Sequence, residues 1–135
     1  MASEPTLDDA TDKLVERALA RLAERAPAAA VQARRPDLAT LAIASDFAID
    51  TLVRQPALLD TLDDPLVTVP DLGADAAADW PSLLRRWRAR QSTRLVWRDV
   101  MGVDEVDATL AGASRIADQA LQAGVQALIG PLEQA

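Results

Sequence analysis

The chain has 135 residues and a formal net charge of −7, and it contains no Cys, His, Tyr or Asn. These absences exclude disulfides, thiolate and imidazole metal sites, cysteine nucleophiles and a histidine base from these residues. A P-loop is excluded because no Gly-Lys-Ser/Thr sequence is present, and the acidic balance disfavours non-specific nucleic-acid binding. An enzyme within this chain would depend on carboxylates, arginines and hydroxyls alone.

The sequence shows no segment for membrane insertion or secretion. No apolar stretch reaches the roughly 18 residues that suggest a membrane-spanning helix. The acidic N-terminus lacks the basic and apolar regions of a signal peptide. We therefore expect a cytoplasmic protein with no membrane partner.

Residues 1–35 predict an N-terminal helix and a linker. Thr6 is a candidate helix cap, and Pro27 ends the helical pattern. Residues 28–35 predict either a linker or an extra helical turn. The apolar positions that follow the 3.6-residue period are Leu7, Leu14, Val15, Ala18, Leu19 and Leu22.

Residues 36–62 predict a second helix with a short continuation. Pro36 suits the first turn of a helix that extends to about Arg54, and Pro56 then interrupts it before a short helical stretch. The predicted buried stripe is Leu38, Leu41, Ala42, Ser45, Ile49, Leu52 and Val53. Residues 63–78 contain prolines, aspartates and a glycine, which predict a loop.

Residues 79–135 predict an arginine-rich helix followed by a C-terminal helix. The first of these extends from about Asp79 to Met101, and Gly102 suits a left-handed residue at its end. We expect Asp104 to cap the C-terminal helix and Gly130-Pro131 to end it. The predicted apolar stripe of that helix is Val106, Leu110, Ala113, Ile116, Ala117, Ala120, Leu121, Val125 and Leu128.

This pattern predicts one all-α segment over residues 1–135. About four long helices and a short one would form an antiparallel helical bundle, because no alternating strand pattern is present.

Four arginines at a spacing of four residues form the candidate interaction face, and they are Arg86, Arg90, Arg94 and Arg98. Such a line follows one side of a helix, and guanidinium groups bind phosphates and carboxylates bidentately. The alternative is a charged face that is solvated or paired within the chain. Asp46, Asp50, Asp60, Asp63 and Asp64 are candidate internal partners.

The tryptophans and the clustered carboxylates favour structural interpretations. Trp80 and Trp87 share a helix face, which indicates packing because exposed indoles are costly. Pairs such as Asp8-Asp9 and Asp63-Asp64 lie at helix starts or in the predicted loop, where capping and solvation explain them. A carboxylate-based metal hydrolase is a weaker alternative.

Two stretches, in this order, resemble one bacterial enzyme family. The first comprises residues 41–52 (LAIASDFAIDTL) and 55–59 (QPALL), and the second comprises residues 93–99 (TRLVWRD) and 107–111 (DATLA). Together they are similar to the N-terminal region of the bifunctional glutamine synthetase adenylyltransferase/adenylyl-removing enzymes, over roughly residues 38–129 of this chain.

The resemblance implies an enzyme of nitrogen regulation that uses ATP and Mg²⁺ to attach AMP to glutamine synthetase and removes it by phosphorolysis. It also implies glutamine synthetase, a PII protein and the remaining domains of the parent enzyme as partners. The catalytic signature of that family is a glycine-rich turn followed by Ser-Asp-x-Asp, and this chain reaches Ala135 without it. Ser45-Asp46 lacks the second aspartate, so no catalytic, cofactor-binding or metal-binding residue is assigned.

We therefore expect a non-catalytic scaffold from the N-terminal part of such an enzyme, with ATP and Mg²⁺ bound elsewhere and the nucleotidyltransferase domain absent. The alternative is a stand-alone helical module that binds an acidic partner through its arginine helix.

Overall fold

The computed structural model describes residues 7–64 and 79–133, and all regular structure in these ranges is helical. The all-α class is therefore confirmed. The expected cap at Thr6 and residues 65–78 of the loop expected over residues 63–78 lie outside the described residues. The helices are α1 (Leu7–Ala23), α2 (Ala28–Ala33), α3 (Arg35–Ala44), α4 (Asp46–Arg54), a 3₁₀ helix (Pro56–Thr61), α5 (Trp80–Val100) and α6 (Val106–Glu133).

The chain divides into two compact units, Met1–Leu62 and Asp63–Ala135. In the first unit α1 packs against α3 and α4, α2 packs against α1 and α3, and the 3₁₀ helix packs against α4. Its core consists of leucines with smaller apolar residues between them: Leu19, Leu22, Ala26, Val31, Leu38, Leu41, Ala42, Ala48, Ile49, Leu52, Leu58, Leu59 and Leu62. Leu19 and Leu22 of the predicted first stripe are thus buried, whereas Leu14 is exposed.

The prediction of one continuous helix from Pro36 to Arg54 is wrong, because the helix is interrupted at Ser45. This residue has an extended backbone with φ −156° and ψ 108°. Its Oγ accepts a hydrogen bond from the backbone N–H of Ala48 at 3.1 Å. Ser45 therefore caps the N-terminus of α4 and lets the chain turn between two helices. Residues 28–33 form a short helix of their own. Of the two alternatives predicted for this segment, a linker or helical structure, the structure therefore supports the helical one.

In the second unit α5 and α6 form an antiparallel pair. At one end, a Cβ built on Gly124 of α6 would lie 3.6 Å from Leu84 of α5. At the other end, the Thr109 hydroxyl donates to Asp99 Oδ1 at 3.3 Å. Gly102 begins the reversal with φ +72°, in the left-handed region predicted for it.

Two expectations for α6 are wrong. The helix continues through Gly130-Pro131 to Glu133, although Pro131 has no N–H to donate to the preceding turn. Of the predicted apolar stripe only Ile116 and Ala120 are buried. The buried residues of α6 also include the small residues Gly112, Ala120 and Ala123, and Ala120 packs with Ile116 in a cluster with Trp87 of α5.

Candidate functional site

The four arginines of the candidate interaction face differ in their exposure. Arg86 is exposed, Arg90 and Arg98 are half-buried, and Arg94 is buried. A spacing of four residues drifts around a helix by about 40° per step, because one turn takes 3.6 residues. The line therefore passes from the solvent side of α5 at Arg86 to a buried side at Arg94. Whether these arginines bind a partner stays a prediction.

The arginines in the middle of α5 form a concentrated positive region. Burial lowers the pKa of Arg90, and the charges of Arg86 and Arg94 lower it further. The Arg94 guanidinium donates through Nη1 to Gln91 Oε1 at 3.4 Å, and both side chains are buried. Part of the positive charge of α5 is thus buried, at Arg94. The four arginines therefore do not form one uniformly exposed surface.

Arg98 and Asp104 join the end of α5 to the segment before α6. Arg98 Nε donates to Asp104 Oδ2 at 2.9 Å, and Arg98 Nη2 donates to Asp104 Oδ1 at 3.1 Å. Hydrogen bonding to the Asp104 carboxylate is the main cause that raises the pKa of Arg98. The prediction that Asp104 caps α6 is wrong, because both carboxylate oxygens accept from Arg98 and the helix begins two residues later.

Trp87 serves packing, as predicted, whereas Trp80 is half-buried. Trp87 is buried in a cluster with Leu95, Ile116 and Ala120, and Leu84 lies against it. Trp97 is also buried, and its indole N–H donates to Asp63 Oδ1 at 3.0 Å. Asp63, one of the candidate internal partners of the arginines, thus accepts a hydrogen bond from an indole.

A groove between α1 and α4 was not anticipated from the sequence. It has a volume of about 620 Å³ and is lined by Ala10, Lys13, Leu14, Arg17, Ala18, Arg21, Asp46, Ile49 and Asp50. Arg21 Nη2 lies 2.8 Å from Asp50 Oδ1 across this groove. The signal that could have revealed it is the four-residue spacing of cations on α1 opposite the four-residue spacing of aspartates on α4.

The carboxylates of the described residues do not gather into a metal centre. No group of three or more His, Cys, Asp and Glu residues that could hold a metal ion is present in the part of the chain that the structure describes. Asp8 and Asp9 lie in the first turn of α1, and Asp107 lies in the first turn of α6. Negative charges at these positions stabilise the helix N-terminus.

One side of α6, which we call the outer face, is apolar and exposed. It comprises Val106, Leu110, Ala113, Ala117, Leu121 and Leu128. The four larger members have exposed fractions of 70, 62, 69 and 62% in chain order. Sequence periodicity identified these residues but assigned them to the core.

None of the helices over residues 7–64 and 79–133 is both long enough and apolar enough to cross a bilayer.

Comparison with known proteins finds relatives over most of the chain. It is 50% identical over 129 residues to the bifunctional glutamine synthetase adenylyltransferase/adenylyl-removing enzyme of Xanthomonas oryzae pv. oryzae, with 91% of this chain and 14% of that protein covered. The enzyme of the same name from Stenotrophomonas maltophilia is 51% identical over 118 residues, covering 85% of this chain and 13% of that protein. A more distant enzyme of this name, from Shewanella loihica, is 29% identical over 147 residues and covers 98% of this chain and 15% of that protein.

The chain therefore spans about one seventh of the length of the curated relatives that it matches. No family model matches the chain. No solved structure matches it.

Proposed function

We propose that this chain, which is related over about nine tenths of its length to the bifunctional glutamine synthetase adenylyltransferase/adenylyl-removing enzymes, acts as a non-catalytic helical segment of such an enzyme. The observation that carries the proposal is the identity of 50% over 129 residues with a protein of which this stretch makes up only 14%. At 135 residues the chain has the size of one domain, and in this proposal it supports or positions the other parts of the enzyme.

The contacts of the polar side chains support a structural role. Asp104 accepts two hydrogen bonds from Arg98 between α5 and α6. Asp63 accepts from the Trp97 indole, and Ser45 caps α4. These groups stabilise the helices and the contacts between them.

In this proposal, glutamine synthetase is the substrate of the whole enzyme, and a PII protein controls it in the cytoplasm. ATP would supply the adenylyl group, and Mg²⁺ would neutralise the charge of its phosphates. Both would bind at other segments of the enzyme.

The experiment is a segment exchange in the Xanthomonas oryzae relative. The purified chain alone is assayed for AMP transfer to glutamine synthetase and for phosphate-dependent AMP release, with the intact relative as the positive control. We expect neither activity from the chain alone. Replacing the matched segment of the relative by this chain should retain both activities, whereas deleting the segment should abolish at least one of them.

The matched control is the same chimera with Trp87→Ala, which removes a fully buried side chain of the α5–α6 pair. It should lose activity together with folded structure in that segment. Turnover by the isolated chain would contradict the proposal, and so would a folded chimera without either activity.

A further inference from the structure

The outer face of α6 is apolar where a solvent-exposed helix is normally polar. Leu110 and Leu121 expose 62 and 69% of their surface, and Ala113 and Ala117 lie between them on the same side. A contiguous apolar surface of this kind is uncommon on an isolated soluble protein and marks an interaction site.

The charged residues of α6 lie away from this face. Between Val106 and Ile129 the helix carries only Asp107, Arg115 and Asp118 as charged residues. At 3.6 residues per turn, Arg115 projects roughly opposite the centre of the outer face, and Asp118 lies beyond its edge. Helix α6 is thus apolar toward α5 and also on the outer face. This pattern is typical of a helix that is covered on both of these sides.

We propose that the outer face of α6 is a docking surface for an apolar surface in the part of the parent enzyme that lies outside this chain. This inference rests on the proposed function. The relatives supply the candidate occupant, because this chain matches only 14% of the Xanthomonas oryzae protein and the rest of that polypeptide is available to cover the helix. Covering the face would remove the apolar side chains from water, which favours association.

Charge argues against a second copy of the chain as the occupant. Each copy carries a net charge of −7, and two such chains would be brought together through a face that contributes no compensating charge. Net charge of one sign opposes self-association.

The absence of cysteine from this chain allows a clean labelling experiment. Single variants Leu110→Cys and Leu121→Cys are made on the outer face, and Arg115→Cys is made as the matched control at an exposed position on another side of α6. Each variant is studied in the isolated chain and in the chimera in which this chain replaces the matched segment of the Xanthomonas oryzae relative. Maleimide labelling is followed by mass spectrometry of the peptides that contain the introduced cysteine, which separates them from cysteines of the relative.

We expect fast labelling at all three positions in the isolated chain. In the chimera, labelling at the two outer-face positions should slow by at least about tenfold, while the control position stays fast, because covered side chains react only when the interface opens. Fast labelling of the outer face in the chimera would overturn the proposal, and so would equal protection of the control.

Two further outcomes identify other occupants. Protection in the isolated chain that grows with protein concentration would show a second copy on the face, and protection at every concentration would show that the chain covers its own helix. Either result overturns the proposal. Activity of the chimera, measured in parallel, tests the proposed function separately: an inactive but protected chimera would contradict that function and retain the docking surface.

Discussion

Helices α5 and α6 pack against each other, yet they differ in which residues they bury. Helix α5 buries polar residues, whereas helix α6 exposes apolar ones. Helix α5 carries six arginines, but Gln91, Thr93 and Arg94 are buried in it. Helix α6 is largely apolar, but its leucines on the outer face are exposed. Residue type therefore does not determine which side of these helices is covered.

The difference shows what each helix requires from its surroundings. A buried polar group needs a hydrogen-bond partner to offset the loss of water, and Arg94 finds one in Gln91. An exposed leucine requires no partner, but it leaves unused the free energy that burial would provide. Arg94 thus has a partner within its own helix, whereas the outer face of α6 gains by binding another surface.

The largest expected effect comes from truncating an indole in the shared core. Trp87→Ala should lower the free energy of unfolding by about 3–5 kcal/mol, because Trp87 is fully buried against α6 and a cavity would remain. Leu121→Ala, on the exposed face, should change it by less than about 0.5 kcal/mol. Urea unfolding of both variants, followed by far-UV circular dichroism, checks the contrast. Equal losses would show that the outer face is covered within the chain.

The next largest effect is expected from breaking the Arg98–Asp104 ion pair, which closes the α5–α6 turn. The Arg21–Asp50 ion pair, which is more exposed, serves as the comparison. Asp104→Asn should cost about 1–2 kcal/mol, because the two hydrogen bonds from Arg98 are charge-assisted. The side chains of that pair are 27 and 18% exposed, whereas those of Arg21 and Asp50 are 55 and 43% exposed. Asp50→Asn should therefore cost at most about 0.5 kcal/mol.

Double-mutant cycles that add Arg98→Gln and Arg21→Gln, measured by urea unfolding, give the coupling energy of each ion pair apart from other effects of the substitutions. The coupling energy should be larger for Arg98 with Asp104. An Arg21–Asp50 coupling energy that equals or exceeds the Arg98–Asp104 coupling energy would contradict the prediction that the pair in the turn stabilises the fold more.

The sequence predicted the helices well because their periodicity and end signals are local. Pro36, Pro81 and Gly102 each mark a helix end or start through backbone geometry alone. The break at Ser45 was missed because serine at that point also fits the apolar stripe. The structure shows that its hydroxyl caps α4, a role that depends on the direction of the chain before it.

The packed side of α6 could not be predicted because periodicity reports which residues are apolar, not which surface lies opposite them. Trp87 of α5 packs against Ile116 and Ala120, whereas Leu121, the next residue after Ala120, is exposed. The same limit applies to the candidate arginine face. Its spacing is visible in the sequence, but the burial of Arg94 depends on tertiary packing.

The smallest expected effect concerns a buried hydroxyl of α5. Thr93 is fully buried, and its Oγ1 has no hydrogen-bond partner among the described residues. Thr93→Val keeps the shape of the side chain and removes the unsatisfied oxygen, so we expect the free energy of unfolding to rise by about 1 kcal/mol.

Thr93→Ser is the matched control, because it keeps the hydroxyl and removes the buried methyl group. It should lower the free energy of unfolding by about 1 kcal/mol, the loss expected for one buried methyl group. Both variants are measured by urea unfolding under the same conditions. A loss of stability in Thr93→Val would show that the hydroxyl does have a partner, and Thr93 would then be, like Arg94, a hydrogen-bonded polar residue on the buried side of α5.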